Sequence, residues 1–113
     1  MTIEERQKTI KSLMEEALNM AKSKGQDYSG NEDSLANFKS NADTLGMTKF
    51  QVWAVYFNKH VNAINNSIKT NPLSPTVYSE PIHGRIVDAI VYLTLLDCLL
   101  RESSNKDPED NNL

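Results

Sequence analysis

Polar side chains recur at helical intervals in a strongly apolar segment near the C-terminal end of the chain. Arg85, Asp88 and Tyr92 are spaced i, i+3 and i+7, which places them on one face of a helix. Arg and Asp are almost never buried unless they are paired or used. One interpretation is a buried ion pair that fixes the register of the helix. The other is a polar pocket for a ligand.

A matching stripe precedes it in the chain. It consists of Trp53, Tyr56 and His60, with Lys59 beside them. An indole, a phenol and an imidazole on one face can stack against a base and form hydrogen bonds to it. Each residue alone is better explained as part of a core. Two such stripes that face each other in a bundle favour a ligand site.

A third group follows the first apolar segment and is rich in oxygen atoms. Its candidate binding residues are Lys24, Asp27, Tyr28, Asn37 and Phe38. Asp27, Glu32 and Asp33 are close in sequence, Glu80 could approach them in space, and clustered oxygens of this kind suit Mg²⁺. The predicted metal ligands are Glu80 and Asp88. The alternative is a solvated acidic loop with Asx turns.

These residues must be positioned by helices, because hydrophobic residues recur with helical period and the chain has only four glycines and four prolines. Capping-box pairs, Thr2 with Glu5 and Thr48 with Gln51, predict two helix starts. The predicted helices are Ile3–Lys24 (stopped by Gly25), Ser34–Leu45 (closed by Gly46), Thr48–Thr70 and Pro81–Glu102. The segment from Gln26 to Asp33 is predicted to be a loop. The expected fold is therefore all-α, a small bundle of three long helices plus a short one.

The last predicted helix is apolar almost all round, so it should be buried on most sides. A domain this small can hardly bury it alone, which predicts a homo-oligomer. Residues 1–102 form one expected helical domain, and residues 103–113 form an expected disordered acidic tail. A monomer with a loop-covered core is the alternative.

Length and composition exclude several classes of protein. The 113 residues suffice for one small domain, and a lone Cys98 excludes a disulfide framework. The net charge of -3 argues against binding to polymeric nucleic acid, and no apolar run has the length of a membrane span. A cytoplasmic protein with a small anionic ligand is expected.

The pattern Lys24…Asp27-Tyr28…Gly30, Asp33…Asn37-Phe38, followed by Arg85…Asp88…Tyr92, resembles the phage nucleotide-modification-associated domain. That family is similar in turn to MazG-like all-α nucleoside triphosphate pyrophosphohydrolases. The resemblance covers roughly Ala21 to Leu100. It implies nucleotide handling in a phage context, within the cytoplasm of the host cell.

The MazG-like enzymes hold Mg²⁺ on a Glu-x-x-Glu pair in one helix and a Glu-x-x-Asp pair in a later one. This sequence departs from that pattern, since Thr48–Thr70 has no carboxylate and the position three before Asp88 is Arg85. The incomplete quartet favours capture of a nucleotide or a nucleotide-derived signal, such as a host defence messenger. The alternatives are a Mg²⁺-dependent pyrophosphohydrolase or nucleotide-modification enzyme, and an interaction protein without a small ligand.

Overall fold

The part of the chain that the structure describes folds into three long helices and one short helix. The computed structural model describes residues 1–29, 33–76 and 81–104, and for residues 24–29 it describes only the helical backbone. The helices are α1 (Ile3–Ser29), α2 (Ala36–Leu45), α3 (Lys49–Thr70) and α4 (Ile82–Ser104). The all-α prediction is confirmed.

The two predicted capping boxes are both present. Thr2 and Glu5 exchange hydrogen bonds at the start of α1, where the Thr2 amide donates to Glu5 Oε2 (2.7 Å) and the Glu5 amide donates to Thr2 Oγ1 (3.1 Å). Thr48 and Gln51 do the same at α3, with distances of 2.8 and 3.1 Å. Each box satisfies backbone amides that the first helical turn leaves open. The local sequence therefore sets the start of both long helices.

The first helix is longer than predicted, which corrects the setting of three candidate residues. We expected Gly25 to end it, but the helical backbone continues to Ser29. A glycine inside a helix costs only about 1 kcal/mol relative to alanine, and residues 26–29 contain no proline. Lys24, Asp27 and Tyr28 therefore lie in the last turns of α1, and the predicted loop over 26–29 is wrong.

The remaining boundaries differ less from the prediction. Gly46 ends α2 as expected, with φ of 65° in the left-handed region and its amide donating to the Ala42 carbonyl. The last helix extends two residues beyond Glu102, so Ser103 and Ser104 are helical rather than part of a tail. The rest of the predicted tail, residues 105–113, lies outside the described residues.

Two core clusters in the described part of the chain share α4. In the first, residues of α2 and α3 surround Leu99; its buried members are Leu35, Phe38, Ala42, Val52, Trp53 and Leu99. In the second, Ala17 of α1 packs against Val87 and Val91. Val87 and Leu99 are fully buried, one in each cluster. Helix α4 thus supplies apolar surface to both clusters.

Contacts along α4 establish the helix directions. His83, in the first turn of α4, meets Glu16 of α1 at 2.7 Å, and further along both helices Ala17 and Ala21 of α1 belong to the cluster that contains Val87 and Val91. Helices α1 and α4 therefore run in the same direction. Helix α3 runs in the opposite direction, since Lys49 at its start approaches Glu102 at the end of α4.

No helix in the described ranges is long and apolar enough to cross a membrane.

A small ion network joins the start of α2 to the end of α4. The Lys39 ammonium lies 2.8 Å from Asp33 Oδ2 and 2.7 Å from Glu102 Oε1. The hydrogen bond from Lys39, with a second from the Leu35 amide, lowers the pKa of Asp33. The same bonds to Asp33 and Glu102 raise the pKa of Lys39. These groups are about half-exposed, so solvent screening keeps their contribution to stability small.

The network predicts a pH-dependent effect of Asp33→Asn. Because the folded-state pKa of Asp33 is lowered, its stabilisation is fully present above its ordinary pKa of 3.8 and is lost as pH falls through the folded-state value. We expect the variant to lower the free energy of unfolding at pH 7 by less than about 1 kcal/mol. In urea denaturation, the difference from the wild type should shrink below about pH 4.

Asp43→Asn is the matched control, since Asp43 is an exposed carboxylate on α2. It should change stability little at either pH. If Asp33→Asn lowers the free energy of unfolding by the same amount at neutral and acidic pH, the charge of Asp33 is not the cause of the loss.

Candidate functional site

A buried polar cluster lies where α3 crosses α4. It consists of His60, Arg85, Asp88 and Tyr92, and we call it the polar cluster. His60 Nδ1 lies 3.4 Å from Arg85 Nη1 and 3.8 Å from Asp88 Oδ2. The His60 ring centroid lies 4.9 Å from that of Tyr92. His60 and Asp88 are each only 8% exposed, so their charges are poorly screened by water.

The spacing of residues along α3 and α4 brings the members of this cluster together. On α4, the i, i+3, i+7 spacing puts Arg85, Asp88 and Tyr92 on one face. On α3, His60 lies seven residues after Trp53, two turns along the same face. Since α3 and α4 are antiparallel, Trp53 reaches the level of Tyr92 while His60 reaches Arg85 and Asp88. The two stripes identified in the sequence therefore face each other.

The position of the His60 ring allows two protonation states. A neutral ring with its proton on Nε2 can accept a hydrogen bond from Arg85 at Nδ1. A doubly protonated ring presents a positive Nδ1–H towards Asp88 instead. Arg85 stays positively charged in both cases. The cluster therefore holds one fixed cation, one carboxylate and one ring whose charge can adjust to a neighbouring anion.

An aromatic layer adjoins the polar cluster and belongs largely to the core. Trp53 is 8% exposed, stacks on Phe57 with 4.8 Å between centroids, and donates from Nε1 to the Tyr92 carbonyl at 2.6 Å. Phe38 is 6% exposed and contacts Tyr92 edge-to-face at 6.3 Å. These contacts give Trp53 and Phe38 a structural role. Their predicted contact with a ligand remains a prediction.

Two further residues complete this layer and were absent from the predicted site. Asn41 of α2 donates from Nδ2 to the Tyr56 hydroxyl at 2.8 Å and so holds the phenol in place. Phe57 covers the indole of Trp53. Asn41 lies three residues after Phe38, on the same face of α2, and this spacing is a signal in the sequence that could have identified it.

Other predicted site residues are not brought to the polar cluster. Asn37 and Lys59 are exposed. Lys24, Asp27 and Tyr28 are seven to eleven residues beyond Ala17, the α1 residue that packs on Val87 and Val91. At 1.5 Å per residue their backbone lies about 10–17 Å further along α1, towards the end of α4 opposite to Arg85.

Only one of the two predicted metal ligands, Asp88, lies in the part of the chain that the structure describes. Among those residues no group of three or more His, Cys, Asp or Glu side chains could hold a metal ion. Glu80 lies outside the described residues, and Asp88 faces the cationic side of the polar cluster. A cation held by Asp88 would have to approach beside Arg85, which is electrostatically unfavourable.

An open groove of about 340 Å³ lies elsewhere, between the first half of α1 and the start of α4. Its lining residues are Lys8, Thr9, Ser12, Leu13, Glu16 and His83. The His83–Glu16 pair crosses it, with both side chains about half-exposed. It does not connect the predicted site residues.

Comparison of the chain with protein-family models, with curated proteins and with solved structures gave no significant match.

The polar cluster predicts a strong stability effect of Asp88→Asn. This change preserves the shape of the side chain but removes the buried negative charge that lies 3.8 Å from His60 Nδ1. Removal of one partner from a buried pair typically costs 3–5 kcal/mol, so we expect a loss of at least about 2 kcal/mol for this nearly buried carboxylate. Denaturant unfolding at pH 7 measures it.

Asp97→Asn is the matched control on the same helix. Asp97 accepts a hydrogen bond from Arg101 Nε at 2.7 Å, but its side chain is half-exposed. We expect this variant to lower the free energy of unfolding by less than about 0.5 kcal/mol. Equal losses in the two variants would contradict a special role for charge in the polar cluster.

Proposed function

We propose that this chain binds a small anionic ligand of the nucleotide type at the polar cluster. The observation that supports the proposal is the juxtaposition of Arg85 with His60 at 3.4 Å in a largely buried place. A cation beside an ionisable ring is an unusual composition for a core. It is a suitable composition for the recognition of a phosphate group.

The chemistry of each member fits one part of such a ligand. The guanidinium of Arg85 presents a planar set of donors that matches phosphate oxygens. His60 adds a second donor, and a positive charge when its ring is doubly protonated. Asp88 accepts hydrogen bonds and can hold an amine or hydroxyl of a base or sugar. Arg85 and Tyr92 are only partly buried, so part of each side chain is in contact with solvent.

The aromatic layer shapes the other side of the proposed site. Tyr56 and Tyr92 are partly exposed and supply ring edges for contact with a base. Trp53 and Phe38 support them from the core rather than through direct contact. The ligand-contacting set that we propose is therefore narrower than the one predicted from sequence: Tyr56, His60, Arg85, Asp88 and Tyr92.

Binding without chemistry is favoured over hydrolysis. A pyrophosphohydrolase of the MazG type needs several carboxylates that share Mg²⁺, and the described residues offer no donor set of that size. A phage setting, a cytoplasmic location and the capture of a host defence messenger are part of the same proposal. They derive from the family resemblance, not from the geometry.

The test is binding by the full chain to a panel of deoxynucleoside triphosphates and cyclic dinucleotides, measured by calorimetry. Arg85→Gln should weaken the binding of the best probe roughly 10- to 100-fold, because a charge-assisted hydrogen bond contributes about 1.5–3 kcal/mol. The probe should be recovered intact by mass spectrometry after denaturation of the protein.

Arg101→Gln is the matched control, since Arg101 lies on the same helix and pairs with Asp97. It should leave the affinity unchanged. Absence of binding across the panel, or equal losses in both variants, would refute the proposal. Release of monophosphate and pyrophosphate in the presence of Mg²⁺ would support the hydrolase instead.

A further inference from the structure

The first half of α1 projects from the rest of the molecule. Residues 1–12 are all exposed, and α1 first packs against the core at Leu13 and Ala17. The projecting part from Ile3 to Ser12 spans about 15 Å. A helical segment of this length gains little stability from its own backbone in water. A surface to pack against would stabilise it, and residues 1–12 stay exposed beside the open groove at the start of α4.

The projecting helix carries an exposed apolar stripe. Ile3, Ile10, Met14 and Leu18 form it, and we call it the α1 stripe; Leu18 is 57% exposed. These residues follow a helical period, so they lie on one side of α1. Ile3 and Ile10 lie within the same arc of α1 as Ala17 and Ala21, before the part of the helix that packs on α4. Met14 and Leu18 lie at the edge of that arc. The apolar face of α1 is therefore longer and wider than the part that α4 covers.

Helix α4 also carries an exposed apolar stripe. Ile86, Leu93 and Leu100 form it at intervals of seven residues, and we call it the α4 stripe; Leu93 is 52% exposed. A seven-residue repeat of this kind is typical of helices that pack along one another. The sequence-based expectation that α4 is buried on most sides is therefore only partly met within a single chain.

The two stripes lie on the same side of the molecule. At 3.6 residues per turn, the centre of the α1 stripe is about 55° round α1 from Leu13, Ala17 and Ala21, which face α4. The centre of the α4 stripe is rotated in the opposite sense, by about 140° round α4, from Val87 and Val91, which face α1. Because the two helices run in the same direction, opposite rotations bring both stripes to one side. That side is away from α3.

We propose that this apolar face binds a second copy of the same chain in an antiparallel two-fold dimer. The projecting α1 stripe of each copy lies along the α4 stripe of the other. The lengths match, since Ile3 to Leu18 spans about 22 Å and Ile86 to Leu100 about 21 Å. A two-fold axis forms both contacts at once, because each copy supplies the surface that the other lacks.

The size of the face suits a stable dimer. The two stripes placed end to end extend over about 40 Å, and a face one to two helices wide is about 10–20 Å across. Such a footprint approaches the roughly 800 Å² per partner of a standard interface. Its upper limit exceeds the roughly 300–600 Å² of the largest apolar patch on a typical monomer.

Charge along the edges supports the antiparallel direction. Arg6 and Lys11 flank the α1 stripe, and Asp97, which also accepts a hydrogen bond from Arg101, flanks the α4 stripe. In the antiparallel dimer the basic pair of one copy approaches Asp97 of the other. In a parallel dimer the projecting halves would lie together, each with the same basic residues. Opposite charges at an interface select one orientation over another.

The dimer does not depend on the proposed ligand. The polar cluster lies on the buried side of α4 that faces α3, and none of its residues belongs to either stripe. Loss of the dimer would therefore leave the binding proposal standing, and loss of binding would leave the dimer.

Sedimentation velocity of the full chain tests the proposal. The monomer mass is 12.7 kDa, so the wild type should sediment as a species of twice that mass. Leu93→Glu and Ile10→Lys should each convert the dimer to monomer while leaving the helical circular dichroism of the core. Val55→Glu is the matched control, because Val55 is an exposed apolar residue on α3, outside the face.

A cysteine cross-link tests the orientation. In a Cys98→Ser background, the double variant Ile10→Cys, Leu93→Cys should form a covalent dimer under mild oxidation. Within one chain the two positions are separated by more than about 15 Å along the helices, beyond the reach of a disulfide. A monomeric wild type, or a dimer that both charge variants leave intact, would overturn the proposal. A dimer that does not cross-link would overturn the antiparallel arrangement.

Discussion

The packing of α4 against helices on two sides is the constraint on which the rest of the structure depends. Val87 and Val91 meet α1, whereas Leu99 meets α2 and α3. Neither cluster is large, and neither would support a domain alone, because small domains bury only a modest fraction of their apolar surface. Because α4 contributes residues to both clusters, it joins them into one fold. Burial of its side chains is the main driving force for that union.

The same constraint explains where polar residues can lie on α4. Most of its circumference is apolar, so Arg85 and Asp88 stand in surroundings that disfavour isolated charge. Helix α3 positions His60 between them. In the neighbouring turn of α4, the Tyr92 carbonyl accepts a hydrogen bond from Trp53 of α3. A structural role in helix register and a role in ligand recognition are compatible here. Residues that are rigidly held by their neighbours present a preorganised surface to a ligand.

Local signals in the sequence predicted the starts of the helices well and their ends less well. The capping boxes at Thr2 and Thr48 depend on residues three apart, so they could be recognised without tertiary information. Gly25 was a misleading stop signal, because a glycine lowers helix stability by an amount that surrounding turns can offset. Gly46 was a reliable one, since its left-handed conformation ends the helix directly.

The sequence by itself determined the all-α class, the two stripes at i, i+3 and i+7, and the apolar character of α4, because these follow from short-range spacing. The tertiary structure alone decided which of the candidate residues meet. It brought His60 to Arg85 and Asp88, placed Trp53 and Phe38 in the core, and left Lys59 and Asn37 exposed. These outcomes depend on the relative direction and rotation of helices that are distant in the chain. Such long-range packing is not encoded in the period of any one helix.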